Sequence, residues 1–288
     1  MLNTAILTTE YAKELPCVIL LGGFDGVHCG HARLFARAKT YGLPIGIMTI
    51  LGGKEGSLYS LKEREEIFQK RGADFVLSAD FSQIKNLSPK EFICLITSRF
   101  SVKRFVCGRD FRFGYGAAGT PSDIEKICGV GVDVEDLLEI EGEKVSTRNV
   151  KKLLALGKVE KAKEYLGEGY FVAGRVEKGR KVGRLLGFPT ANVEYPKDKY
   201  LIKSGVYETR VVVCGTEYKG ITNFGARPTF EDGQVWLETY LDGFSGNLYG
   251  QEIKIEFVRF LREVERFDSP EKLKAQLECD LRRIRTND

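Results

Sequence analysis

The strongest constraint on the fold is a change in the secondary-structure pattern near residue 167. Before this point, short apolar segments typical of strands alternate with segments typical of helices, whereas after it strand-like segments follow one another between glycine-rich turns. Alternation favours a parallel sheet covered by helices, and consecutive strands favour an antiparallel barrel. A chain of 288 residues has room for both. We therefore predict two domains, residues 1–167 and 168–288.

The predicted fold class is α/β, with an N-terminal Rossmann-like parallel sheet followed by a C-terminal antiparallel β-barrel and a terminal helix. In the first domain, strands are predicted at 18–21, 45–50, 75–77, 104–107 and 132–134. Its helices begin near Gly30, Ser60, Ser88, Thr120, Ser146 and Lys158, and several carry a capping box or a cap residue before proline. Strands of the second domain are predicted at 171–172, 206–213, 236–241 and 253–260, before a helix that runs from Ser269-Pro270 to about Arg285.

Composition excludes several classes of protein. No apolar run approaches the roughly 20 residues of a membrane span, and no signal peptide is apparent, so a cytoplasmic protein without a membrane partner is expected. A net charge of +4 does not indicate nucleic-acid binding. The cysteines are scattered, odd in number and without C-x-x-C spacing, which argues against a zinc site or a disulfide framework: Cys17, Cys29, Cys94, Cys107, Cys128, Cys214 and Cys279.

Both histidines of the chain, His28 and His31, lie in one glycine-rich turn between a predicted strand and a predicted helix. Ligands of open α/β sheets bind at this edge, and a helix N-terminus favours anions. Two imidazoles there would donate hydrogen bonds to phosphate oxygens and stabilise charge that develops at phosphorus. A plain surface turn remains an alternative. A zinc pair is a further one, although no other ligands follow at a recognisable spacing.

The string Gly23-Phe24-Asp25-Gly26-Val27-His28-Cys29-Gly30-His31 contains the H-x-G-H signature of nucleotidylyltransferases. The longer string resembles the N-terminal module of bacterial bifunctional riboflavin kinase/FMN adenylyltransferases, the FAD synthetases. The resemblance implies that His28 and His31 are catalytic. It also implies ATP or flavin binding by Gly23, Phe24, Asp25 and Gly30.

Two further segments of the first half are similar to this family. Residues 107–114 look like its G-x-D-F-x-F-G element, which implies that Asp110 hydrogen-bonds a substrate and that Phe113 lies against a flat ring; taken alone, such aromatic residues are more often core. Residues 145–151 look like an S-S-T-x-x-R element that binds ATP phosphates through Ser146, Thr147, Arg148 and Lys151.

The first half departs from the family pattern in two places. Lys151 stands where arginine is usual, and lysine lacks the planar two-pronged contact of a guanidinium. The segment 48–53 lacks the Phe and Pro that usually follow the second strand. An alternative function is therefore a riboflavin kinase whose adenylyltransferase domain is weakened or inactive.

The second half contains a string that looks like the flavokinase motif ending in P-T-A-N, and the resemblance implies ligand binding by Gly183, Arg184 and Gly187. Thr190 and Asn192 are implied Mg²⁺ ligands through hydroxyl and amide oxygens, whereas by themselves they would cap a turn. The segment 220–230 resembles a second element of this family, and the resemblance implies ligand binding by Arg227. By the same resemblance, Glu238 is at the position of the flavokinase catalytic base, although its pattern alone indicates a solvated face of a strand.

These observations predict an enzyme of FAD biosynthesis. The C-terminal domain would phosphorylate riboflavin to FMN with ATP and Mg²⁺, and the N-terminal domain would adenylylate FMN to FAD with release of pyrophosphate. The expected ligands are riboflavin, FMN, FAD and ATP, and the expected state is a monomer or weak homo-oligomer. A flavin-binding sensor without turnover would need neither the histidine pair nor the metal and carboxylate set. A cytidylyltransferase would leave the second half unexplained.

Overall fold

The fold is described by a computed structural model that covers residues 3–7, 15–52, 56–179, 187–226 and 234–286. The chain forms two compact units, Met1–Asn149 and Val150–Asp288. Each unit is described by itself. Within the described residues, no helix is both long enough and apolar enough to cross a lipid bilayer.

The first unit is built on a six-stranded sheet in which five strands are parallel. Its strands are β1 (Asn3–Ile6), β2 (Cys17–Leu21), β3 (Ile45–Leu51), β4 (Phe75–Asp80), β5 (Val102–Gly108) and β6 (Val132–Glu135). They lie in the order β1-β4-β3-β2-β5-β6, and β1 pairs antiparallel with β4 at one edge. The sequence predicted the five parallel strands but not β1. A short antiparallel hairpin follows, β7 (Glu139–Ile140) and β8 (Glu143–Lys144).

Helices cover this sheet, and their caps agree with the sequence. They are α1 (Cys29–Lys39), α2 (Leu61–Arg71), α3 (Phe81–Ile84), α4 (Pro89–Thr97) and α5 (Pro121–Cys128). At the start of α2, the amide of Ser60 donates to Glu63 Oε2 at 2.7 Å and the amide of Glu63 donates to Ser60 Oγ at 3.3 Å. Gly72 ends the helix in the left-handed region, at φ +96°. All five residues of β2 are buried, as expected for a central parallel strand.

The second unit contains a closed antiparallel barrel. Its strands are β9 (Phe171–Glu177), β10 (Thr190–Glu194), β11 (Gly205–Val213), β12 (Thr216–Ala226), β13 (Val235–Leu241) and β14 (Glu252–Arg262). They close in the order β10-β13-β12-β11-β14-β9, so the barrel leaves no strand edge open among the described strands. The sequence did not predict β10 or β12. The segment 190–192, interpreted as a turn, is the first part of β10, where ladder bonds to β13 fix an extended backbone.

Three helices complete the described chain: α6 (Thr147–Ala155), α7 (Val159–Leu166) and α8 (Pro270–Arg285). Helix α8 is the predicted terminal helix, with Ser269 as its cap. The boundary between the two units falls within α6 and leaves α7 in the second unit, where Lys163 of α7 lies 4.0 Å from Glu256 of β14. A domain boundary near residue 167 stays a prediction.

Candidate functional sites

The histidine turn lies where β2 ends and α1 begins, which is the strand-to-helix junction that the sequence predicted. His28 is the N-cap residue of α1, and His31 lies in its first turn. Their rings stack with centroids 3.7 Å apart and planes 15° from parallel. The two imidazoles therefore form one unit at the carboxyl edge of the parallel sheet.

Burial keeps this histidine pair neutral. It lowers the pKa of His28 to about 4, and the pKa of His31 falls well below 6.5 for the same reason, with a smaller contribution from His28. The backbone amide of His28 donates to His31 Nδ1 at 3.4 Å, which leaves the proton of neutral His31 on Nε2, and a hydrogen bond with the backbone of Gly26 acts on the pKa of His31 in the raising direction. Within the described part of the chain, the buried His28 Nδ1 has no hydrogen-bond partner.

Two residues of the motif shape the space around these rings. A Cβ on Gly30 would lie 3.1 Å from His28 Nδ1, so a side chain at this position would press on the imidazole. Phe24 adopts φ +45°, which is unusual for a residue other than glycine, and its ring centroid lies 4.5 Å from that of His31. Phe24 is buried and packs against the His31 ring. Gly23 accepts a hydrogen bond from Thr49 Oγ1 at 3.1 Å through its carbonyl oxygen.

Asp25 is held by a buried arginine that the sequence analysis missed. The Arg64 side chain is 1% exposed and its Nη2 donates to Asp25 Oδ1 at 3.0 Å. The same guanidinium donates to both chain segments beside the turn, at Thr49 Oγ1, Ile50 O, Ser57 Oγ and Tyr59 O. The carboxylate predicted to bind ATP or flavin thus also anchors the turn. The sequence signal was available, because Arg64 shares the buried face of α2 with Ile67 and Phe68.

Asp110 follows β5 and reaches the same edge of the sheet, as predicted. Its carboxylate is hydrogen-bonded to Lys144 Nζ at the end of β8. Both groups act on His28, because Asp110 raises its pKa and Lys144 lowers it. Lys144 was not among the predicted site residues.

Phe113 is 5% exposed and belongs to the core beneath the sheet. Its ring packs against Phe92 and Phe111, with centroids 5.6 and 5.5 Å away. A Cβ on Gly119 would lie 2.7 Å from this ring. These contacts favour the core role that the sequence left open over contact with a flat substrate ring.

The predicted phosphate-binding residues near α6 do not all belong to the same unit, because the first unit ends at Asn149. Ser146 accepts a hydrogen bond from the amide of Asn149 at 3.3 Å and so caps the helix that Thr147 begins. Arg148 is exposed. Lys151 belongs to the second unit, where its Nζ lies 5.4 Å from the centroid of the Tyr200 ring.

In the barrel, Glu238 of β13 lies directly opposite Asn192 of β10 on one side and Asn223 of β12 on the other. Residues paired in this way point to the same face of a sheet, and Thr190 shares that face two residues away. The neighbouring Leu237 and Thr239 are fully buried on the inner face. The predicted base and the predicted metal ligands therefore lie together on the outer wall of the barrel.

Two cavities meet at this corner. One, of about 570 Å³, is lined by Thr190, Asn192 and the segment 244–249. The other, of about 280 Å³, is lined by Thr190, Glu238 and Asn223, together with apolar groups of β13, the segment after β14 and α8: Tyr240, Phe267, Leu273 and Leu277. Thr190 is common to both cavities.

The donor set at this corner suits a hard cation. The hydroxyl of Thr190 and the amide oxygen of Asn192 are ligands of the kind that Mg²⁺ prefers, and the Glu238 carboxylate opposite Asn192 adds negative charge. A Cβ on Gly179 would lie 2.4 Å from Asn192 Nδ2, so the backbone at Gly179 covers this amide closely. Asn223 Oδ1 is buried and has no hydrogen-bond partner among the described atoms. Gly187 is described, at φ +83°; the predicted binding residues Gly183, Arg184 and Arg227 lie outside the described residues.

A buried ion pair fixes α8 to the barrel beside the smaller cavity. Asp280 is fully buried, and its Oδ2 accepts from Arg262 Nε at 3.0 Å and from Nη2 at 2.9 Å. Gln276 donates to its other oxygen at 2.9 Å. Because Arg262 also lines the cavity, this pair sets the distance between the barrel wall and the helix that encloses it.

Two candidate sites of this kind, one in each unit, are those expected of a nucleotide-dependent transferase with two activities. The comparisons with known proteins agree: the FAD synthetase family matches residues 11–149, and the riboflavin kinase family matches residues 166–287. The chain is similar to the bifunctional riboflavin kinase/FMN adenylyltransferases of Listeria monocytogenes, at 31% identity over 95% of this chain and 93% of that protein, and of Bacillus subtilis, at 33% identity over 96% and 92%. The chain belongs to this bifunctional family.

A solved structure supports the fold over nearly the whole length. A crystal structure described as a macrolide-efflux protein from Streptococcus pneumoniae is 27% identical, covers 97% of each chain and superposes with a TM-score of 0.86. The parallel-sheet domain followed by a closed barrel is therefore an arrangement found in an experimental structure.

Proposed function

We propose that this chain converts riboflavin to FAD in two ATP-dependent reactions, phosphorylation in the barrel and adenylylation at the histidine turn. The observation that carries the proposal is the position of Glu238, directly opposite Asn192 and in one cavity with Thr190. A carboxylate that only faces solvent would not require Asn192 and Thr190 as neighbours. The match of both families to the two halves of the chain supports the same function over a kinase alone.

In the kinase reaction, Glu238 accepts the proton of the ribityl 5′-hydroxyl of riboflavin. The hydroxyl oxygen then attacks the γ-phosphorus of ATP, and the products are FMN and ADP. Positioning and charge neutralisation account for most of the acceleration in such reactions. Thr190 and Asn192 would hold a divalent ion, which we take to be Mg²⁺, and this ion would neutralise phosphate charge.

The two cavities suit the two substrates. The smaller one has aromatic and aliphatic walls at Tyr240, Phe267 and Leu277, which match a flat apolar ring system such as the flavin. The larger one extends from Thr190 along the segment 244–249 and has room for a nucleotide. Since Thr190 lines both, the γ-phosphate and the ribityl hydroxyl would meet beside it.

In the adenylylation, an oxygen of the FMN phosphate attacks the α-phosphorus of a second ATP, and pyrophosphate leaves. No protein nucleophile is needed because the FMN phosphate is already an anion. The neutral imidazoles of His28 and His31 would donate ring N–H hydrogen bonds to the phosphate oxygens, and the α1 N-terminus would add positive potential. The assignments of Gly23, Phe24, Asp25, Ser146, Thr147 and Arg148 to ligand binding remain predictions, as do a cytoplasmic location and a monomeric or weakly oligomeric state.

A product assay with the purified full chain tests the proposal. Riboflavin, ATP and MgCl₂ are incubated with the protein, and the flavins are separated by chromatography. Appearance of FMN followed by FAD supports both reactions. FMN without FAD would instead establish the kinase-only alternative, and bound flavin without ATP consumption would overturn the proposal altogether.

A further inference from the structure

The β7–β8 hairpin holds a lysine beside the histidine pair. Its turn residues, Glu141 and Gly142, adopt φ values of +52° and +76°, as in the two-residue turns that close tight hairpins. The carbonyl oxygen of Lys144 accepts from Asn149 Nδ2 at 2.9 Å, and the next amide, of Val145, donates to Leu138 O at 2.8 Å. The backbone of Lys144 is thus fixed to the hairpin and to the start of α6.

The ammonium group of Lys144 forms an exposed ion pair with Asp110, which a ligand can displace. It is hydrogen-bonded to Asp110, and the two side chains are 40% and 52% exposed. Exposed ion pairs contribute little net stability because water screens them and competes for both groups. A phosphate group with more negative charge than one carboxylate would therefore displace Asp110 at small cost.

The histidine pair lacks the charge that a triphosphate requires. Burial keeps His28 and His31 neutral, so they donate hydrogen bonds but add no positive charge. Asp110 follows β5, which pairs with β2 at Cys107 and Leu21, so the ammonium group bonded to Asp110 lies at the strand end from which the histidine turn starts. The unpartnered His28 Nδ1 lies in the same region of the described structure.

We propose that Lys144 binds the β- and γ-phosphates of ATP during adenylylation and that Asp110 holds it in place while the site is empty. The inference rests on the proposed function of the first unit and adds a residue to it. Lys144 would neutralise the pyrophosphate as it leaves, because charge accumulates on that group when the bond to the α-phosphorus breaks. The neutral histidines would act on the α-phosphate, so hydrogen bonding and charge neutralisation would come from different residues.

The kinetic test compares Lys144→Gln with Lys144→Arg in the full chain, using FMN and ATP as substrates. For Lys144→Gln we expect the KM for ATP in FAD synthesis and the inhibition constant of pyrophosphate each to rise about tenfold or more, the effect of losing one charged hydrogen bond. The KM for FMN stays unchanged, and Lys144→Arg keeps most of the wild-type behaviour because it keeps the charge. The unchanged KM for FMN and the activity retained by Lys144→Arg serve as the folding controls for the first unit.

Lys126→Gln provides the matched control. Lys126 also forms an exposed ion pair, with Asp123 at 3.6 Å, but it is on α5 and does not contribute to the pKa of His28. We expect its adenylylation kinetics to equal those of the wild type. Equal kinetics in Lys144→Gln, with unchanged pyrophosphate inhibition, would overturn the inference while leaving FAD synthesis itself intact.

Proton NMR gives a readout that does not depend on turnover. The chain has two histidines, so their ring protons give only two sets of signals. Addition of pyrophosphate should shift the His28 signals in the wild type and in Lys126→Gln, and about tenfold more should be needed in Lys144→Gln. An identical titration in all three proteins would contradict a role for Lys144 in binding.

Discussion

Arg64 and Asp25 form an ion pair in which the arginine is almost completely enclosed, with Nη2 and Oδ1 3.0 Å apart. The pair connects α2 to the turn that carries Phe24, and Phe24 in turn packs against His31. A buried charge without its partner is costly, so this connection holds the turn in one conformation. We therefore predict that Arg64 acts as a positioning residue, through Asp25 and the turn that carries Phe24.

Replacing Arg64 with Met should separate the two activities. The change removes the charged partner of Asp25 and the guanidinium hydrogen bonds to two hydroxyl and two carbonyl oxygens, and we expect a loss of about 3 kcal/mol in the stability of the first unit. FAD synthesis should fall strongly while riboflavin phosphorylation persists. Calorimetry and the product assay measure both effects, with the exposed Lys70→Met on the same helix as control. Partial recovery of FAD synthesis by added guanidinium would distinguish positioning from general damage, and equal loss of both activities would contradict it.

Substitutions at the two sites should have opposite effects on the products. His31→Ala removes a donor to the transition state, and we expect FAD synthesis to fall by about a hundredfold or more while FMN is still formed. Glu238→Ala should stop FMN formation from riboflavin but allow FAD formation when FMN is supplied. Chromatography of the flavins measures both reactions. Loss of both reactions in either folded variant would show that the two sites are not independent.

Stability should decrease as the pH falls from about 6.5 to about 4. In this range an unfolded chain takes up protons on histidine, whereas folded His28 stays neutral until about pH 4. The unfolded state thus binds more protons and gains stability as the pH decreases. For a difference of this size the expected loss is about 3 kcal/mol, and His31 adds to it in the same direction. Urea unfolding of the wild type and of His28→Asn at pH 7 and 5 measures the effect, and equal pH dependence in both would contradict it.

The Arg262–Asp280 pair should control riboflavin binding through helix α8. In Asp280→Asn the arginine loses its charged partner, and we expect about 3 kcal/mol of destabilisation together with a raised KM for riboflavin. Arg285→Gln is the matched control on the same helix, since it removes an ion pair with Asp242 in which Arg285 is 56% exposed. That change should cost less than about 1 kcal/mol. Thermal unfolding and kinase assays measure both variants, and equal KM values would argue against control by this pair.

Sequence patterns predicted the elements whose signals are local. The capping box of Ser60 and Glu63, the Ser269-Pro270 helix start and the apolar run of β2 all act within a few residues. They did not predict β12, because Gly220 and Gly225 are poor strand residues and only pairing with β11 and β13 holds the strand extended. Thr190 and Asn192 were interpreted as part of a turn because their extended backbone depends on pairing with β13, which is distant in the chain.

Side-chain partners that are distant in the chain could not be predicted in the same way. Lys144 meets Asp110 across 34 positions, and Arg64 meets Asp25 across 39. The family motif identified Asp25 and Asp110, but their partners follow only from the folded structure. For Glu238 the strand pattern indicated a solvated face, and only the strand register shows that this residue lies beside Asn192.

The interior of the barrel is closed by its own side chains. Thr209, Thr222 and Thr239 are buried there and joined hydroxyl to hydroxyl at 2.8 and 2.9 Å. The barrel therefore serves as a frame that carries the candidate site on its outer wall, unlike barrels that enclose a ligand. In such a frame, a substitution on the outer wall would alter the candidate site and leave the packed interior as it is.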